Sequence, residues 1–163
     1  MRAGAMPRSE MRIEELRELT DAVAGGTIWR PLVRFAASGR WWTRLPTDAD
    51  ADVWLLTWLT GHATDLHDHG DSAAAFTVVE GALDEIRPTP DGPLTRRTVQ
   101  PGMAATVAPG VVHDVRNPYR APAVSIHAYA PRLTVMNFYR PGVAGLRRVR
   151  STVTTEPDAE APS

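Results

Sequence analysis

Four of the five histidines stand in three short phrases, His67-Asp68-His69, Pro109-Gly110-Val111-Val112-His113 and Ser125-Ile126-His127-Ala128-Tyr129. Neutral imidazole is the commonest metal ligand in proteins, and several imidazoles converging inside a β-barrel can hold a redox metal without sulfur. The chain has no cysteine, which removes disulfides, iron-sulfur clusters and thiol nucleophiles, so any metal must rest on His, Asp or Glu. Side chains two apart on a strand share a face, which makes His67 and His69 a competent chelating pair. A His-x-His phrase alone is as readily a polar turn; His113 is the third imidazole that turns it into a metal hypothesis. By the same alternation Ser125, His127 and Tyr129 lie on one face, opposite Ile126 and Ala128. If that face is buried, a Ser to His to Tyr chain satisfies its members and holds the phenol in place; the plain alternative is an exposed edge strand. His62, beside Gly61, reads as an ordinary turn histidine, and Asp68 and Asp71 as outer hydrogen-bond acceptors or solvated groups.

These residues need a rigid frame. At 163 residues with 43% apolar content the chain is one domain's worth. Residues 9–24 place Ile13, Leu16, Leu19 and Val23 on one helical face, with Ser9 as cap and Gly25-Gly26 as stop. Pro31 opens a second short helix ending near Gly39, so the N-terminal helices span about 9–39. From Trp41 the texture becomes β. Eight short strands are expected, at Val53–Thr60, Ala74–Glu80, Leu83–Arg87, Leu94–Val99, Ala104–Val107, Val111–Arg116, Ala123–Tyr129 and Leu133–Tyr139, separated by Gly, Pro or Asp turns. Eight strands so spaced imply a sandwich or barrel. Residues 1–8 are expected to form a flexible N-terminus, 9–150 one domain, and 151–163 a disordered tail. A net charge of −1 without a basic block argues against nucleic acid and anionic membranes as partners. With no apolar run near membrane-spanning length and no apolar signal core after Met1, a cytoplasmic monomer acting on a small molecule is expected.

The spacing carries a resemblance. Gly61, five residues, His67-Asp68-His69, eleven residues, Gly81 is similar to the first cupin motif, and Gly102, seven residues, Gly110, two residues, His113, three residues, Asn117 to the second. Cupins are double-sheet β-barrels related to jelly rolls, so the fold expected is all-β with short N-terminal helices. The second motif's proline stands one place late, at Pro109, and the glutamate ligand of many cupins is replaced by Ala73 and Ala74. A divalent ion held by three neutral imidazoles keeps its full charge, attracts a thiolate and leaves three coordination positions open.

The longer run of His67-Asp68-His69-Gly70-Asp71-Ser72, Gly81, His113 with Val115 and Asn117, and Pro122 through Pro131 resembles cysteine dioxygenase. The resemblance implies Fe(II) on His67, His69 and His113, and a Ser125, His127 and Tyr129 triad beside it. It further implies oxidation of L-cysteine by O2 to the sulfinic acid. By resemblance, Arg44 pairs with the substrate carboxylate, and Trp42 stands where some relatives use tyrosine for that group. An arginine here favours cysteine, since relatives preferring 3-mercaptopropionate carry glutamine. Ala74 stands where animal enzymes place a cysteine crosslinked to the tyrosine, so no thioether forms. Alternatives left open are a dioxygenase for 3-mercaptopropionate or mercaptosuccinate, a non-catalytic cupin that senses a small carboxylate, and a zinc or nickel isomerase.

Overall fold

The computed structural model describes residues 11–90 and 92–157. Helix α1 spans Ile13–Gly25 and eleven strands follow: β1 Trp41–Arg44, β2 Asp52–Trp58, β3 His67–Asp68, β4 Ala73–Glu80, β5 Leu83–Thr89, β6 Gly92–Val99, β7 Ala104–Val107, β8 Asp114–Arg116, β9 Ala123–Ala130, β10 Val135–Gly142 and β11 Gly145–Val153. One sheet has five strands in the order β1-β2-β9-β4-β7. Two three-stranded pieces, β11-β10-β3 and β6-β5-β8, are joined by an antiparallel bridge between His67 and His113 into the opposing layer. Side chains from both layers share one core, with Trp54, Trp58, Phe76 and Val78 meeting Leu83, Val99, Val115, Met136 and Phe138. This is the all-β double-sheet barrel that the cupin resemblance implies, within the sandwich or barrel that the strand spacing left open.

A second apolar cluster lies on the outer face of the five-stranded sheet. Leu16 and Trp29 pack there against Val53, Leu55, Val124, Ile126 and Ala128, so α1 roofs that sheet. The helix begins after Arg12, whose Nε donates to Glu15 Oε1 at 2.9 Å across the first turn; Ser9, the expected cap, lies outside the described residues.

Three differences from expectation have local causes. The second helix shrinks to one 3-10 turn, Arg30–Leu32, because Leu32 and Phe35 stay exposed and no buried stripe offsets the cost of nucleating a longer helix. Strands β1, β3 and β11 stand outside the eight expected. Ser151–Val153, placed in the disordered tail by composition, complete β11: Val153 pairs with Val135, and Thr154 N donates to the Thr134 carbonyl at 3.0 Å. Ladder bonds need no apolar side chain, which is what composition measures. Residues 1–8 and 158–163 fall outside the described residues. Among the described residues, no helix is long and apolar enough to cross a membrane.

Candidate metal centre

The convergence of His67 and His113 begins in the backbone. Each residue's N–H donates to the other's carbonyl at 2.9 Å, and residues directly opposite in such a pair project to the same face. His69, two residues beyond His67, returns to that face, and Gly70 then turns the chain at φ +60°. A Cβ there would run into Val135, so only glycine gives this turn its close approach to β10. All three histidines are buried, and one ring nitrogen from each lies within 4.8 Å of the others. The Nε2 atoms of His67 and His69 are 3.0 Å apart.

The hydrogen bonds set the ring nitrogens' roles. His67 Nδ1 is 2.7 Å from the Asp65 carbonyl and His113 Nδ1 is 3.0 Å from Glu85 Oε2. A carbonyl or carboxylate only accepts, so each Nδ1 carries the proton and each Nε2 lone pair turns to the centre. His113 Nε2 and His69 Nδ1 are buried with no hydrogen-bond partner among the described residues. Of the two, His113 Nε2 is the acceptor: it is left unmatched beside the paired Nε2 atoms of His67 and His69, and a buried acceptor so placed fits a cation. Burial, then the neighbouring His113, pushes His67 well below the ordinary histidine value; burial, then His67 and His113, does the same to His69. His67 and His69 are therefore neutral at pH 7, the state a metal needs. Between the ligands, Asp68 turns the other way: it is buried and accepts from Gly70 N (2.8 Å), Asn137 Nδ2 (2.8 Å) and the Tyr139 hydroxyl (2.5 Å). Asp71 is exposed, and half-buried His62 closes its turn by accepting from Leu59 N at 3.0 Å.

Across the barrel, β9 lies in the middle of the five-stranded sheet, buried at every residue. Ser125, His127 and Tyr129 stand opposite Leu56, Trp54 and Asp52 of β2, with Ile126 and Ala128 turned to the helix side. Ser125 Oγ is 2.7 Å from His127 Nε2 and accepts from Trp58 Nε1 at 2.9 Å. Phe76 stacks on His127 with ring centroids 5.0 Å apart, and Tyr129 meets His69 edge to face at 5.0 Å. Burial first, then the charges of His113 and Arg40, bring His127 down to about 3, so its imidazole is neutral too.

A model of cysteine dioxygenase type I matches residues 5–141. The chain belongs to the cysteine dioxygenase type I family. An uncharacterized conserved protein with a double-stranded β-helix domain from Klebsiella pneumoniae subsp. pneumoniae is similar over 96% of this chain and 98% of its own, at 19% identity and a TM-score of 0.53. The protein TT1209 from Thermus thermophilus is similar over 63% of this chain and 92% of its own, at 25% identity and a TM-score of 0.52. The first likeness carries the cupin fold alone. A comparison with curated proteins finds no match. Family membership supports an enzyme of the dioxygenase class, and the three-histidine cluster could hold a metal ion.

Two arginines lie against the aromatic side of the barrel. Arg44 is exposed, and its guanidinium lies on the Trp54 ring, 4.5 Å from the centroid. Trp42 meets the same ring edge-on at 4.9 Å. Half-buried Arg40 lies over Trp58 at 5.2 Å, donates to the Ala63 carbonyl, and carries a charge that acts on both His67 and His127. Trp58, Arg40 and Glu85 are not singled out by the sequence reading. The signal for Glu85 was available: it shares the strand phase of the core residue Leu83, and an acid on an apolar phase asks for a partner. The Ala130-Pro131 bond is cis.

Proposed function

We propose that this protein is an Fe(II)-dependent cysteine dioxygenase, converting L-cysteine and O2 to cysteine sulfinic acid. The observation that carries the reading is the buried trio His67, His69 and His113, with Tyr129 edge-on against His69, in a chain of this family. When bound, ferrous iron supplies a Lewis acid that lowers the thiol's pKa and a redox partner for O2. The balance is R–SH plus O2 to R–SO2H, with both oxygen atoms ending on sulfur.

The chain's own residues bind and orient the reactants. The aromatic wall of Trp54, Trp58 and Phe76 excludes water from the cup. The Tyr129 phenol donates a hydrogen bond to the reacting pair, and Ser125 fixes His127 beside it as a neutral imidazole. A planar guanidinium grips a carboxylate with two parallel hydrogen bonds. Of the two arginines on this side, we assign that grip to Arg40 ahead of Arg44, because the charge of Arg40 reaches the histidines while Arg44 rests exposed on Trp54. We further propose a cytoplasmic, monomeric enzyme whose partners are a small thiol and O2.

The test is iron-loaded protein given cysteine, 3-mercaptopropionate or mercaptosuccinate, with O2 uptake and sulfinate measured together. Cysteine sulfinate formed at one O2 per product supports the reading. Preference for another thiol moves the substrate, and absence of sulfinate from every thiol overturns the enzyme.

A further inference from the structure

The three imidazoles are not equivalent one bond further out. His67 Nδ1 donates to a neutral backbone carbonyl, His69 Nδ1 has no partner among the described residues, and His113 Nδ1 donates to a carboxylate. That carboxylate, Glu85, is 5% exposed. It stands opposite Val115 on the inner phase of β5, diagonal to His113, where its neighbours are otherwise apolar. Isolating an ionised carboxyl there costs several kcal/mol. It is compensated twice, by His113 and by Arg87, whose Nη2 lies 3.2 Å from the same oxygen and also donates to the Thr106 carbonyl of β7. The glutamate ligand missing at Ala73 and Ala74 therefore has a counterpart outside the cluster, acting through an imidazole.

The geometry points to Glu85 as a positioning residue that locks His113 in its Nε2-ligating tautomer and makes it the strongest donor of the three imidazoles, with Arg87 holding Glu85 in place. This rests on the reading that the trio holds a metal, and on no particular substrate. The anion behind His113 raises that ring's basicity, tightens the site and favours the oxidised state of a redox ion.

The test measures Co(II) affinity by chelator competition, and the reduction potential of the iron form, in Glu85→Gln, Arg87→Gln and Asp84→Asn. Asp84 is a control on the same strand: it is equally buried but faces the other way, accepting from Tyr119 and Thr98. Glu85→Gln keeps an acceptor for Nδ1 and loses the charge, so affinity should fall about tenfold and the potential should rise. Arg87→Gln should move both in the same direction by less, and Asp84→Asn should leave both unchanged. Equal Co(II) affinity in wild type and Glu85→Gln overturns the inference while leaving the metal site standing. Failure of the wild type to bind Co(II) overturns both. Tight Co(II) binding that weakens in Glu85→Gln supports the inference even where no thiol is oxidised.

Discussion

The five-stranded sheet is covered on both faces, by α1 outside and the barrel core inside, whereas the opposing layer turns one face to solvent along β10 and β11. Strands β2 and β9 accordingly carry no exposed residue, and the Ser125, His127 and Tyr129 line sits on a strand buried along its whole length, held by packing. The histidine trio belongs to the half-covered layer: β3 is two residues long, and His69 and His113 lie outside the named strands. There the frame is polar, made of the His67 and His113 backbone bridge, the three donors on Asp68, and Glu85 with Arg87. One site is thus built by two means, a packed aromatic wall on one side and a hydrogen-bonded rim that aims the three imidazoles on the other.

Substitutions on the two sides should fail differently. The largest effect is expected from His67→Ala or His113→Ala, which removes one of three ligands: iron content measured by emission spectroscopy should fall to background and turnover with it, while circular dichroism stays native. Tyr129→Phe, on the packed side, should keep full iron and lose about a hundredfold in turnover, the scale of a positioned proton donor; unchanged rate and coupling would remove Tyr129 from the mechanism. Arg40→Gln should raise KM for cysteine about tenfold with kcat little changed, and Arg44→Gln should do less; the reverse order would return the carboxylate to Arg44. A smaller, pH-dependent effect comes from His127. Its folded value of about 3 lies below the ordinary histidine value, so the unfolded chain binds more protons between the two. Its contribution to stability is complete above about pH 6.5 and is lost as pH falls toward 3, at about 1.4 kcal/mol per unit. Urea midpoints of metal-free protein across that window should show a shallower slope in His127→Phe.

The trio was legible through residue type and through the two-residue step that returns His69 to the face of His67, although only His67 lies in a named strand. The inward phase of β9 was legible for a related reason: Ile126 and Ala128 could only face the helix side if Ser125, His127 and Tyr129 faced the core. The bracing was not, since Glu85 touches His113 from 28 positions away and Arg40 meets the Trp58 ring only once the chain is folded. Strand β11 is hidden in the sequence because its arginines at 147, 148 and 150 mask the alternation that a solvent-facing strand should show. Strand β3 is hidden because two residues carry no period at all.

The central claim is that oxidation of the thiol depends on one metal ion held by these three imidazoles. It is tested most directly by titrating metal-free protein with Fe(II) under anaerobic conditions, then admitting O2 and cysteine and measuring sulfinate against bound iron in wild type and His113→Ala. The account predicts product rising linearly to one iron per chain in the wild type and neither iron nor product in the variant. Sulfinate from iron-free protein, or full iron and full product in His113→Ala, would contradict it.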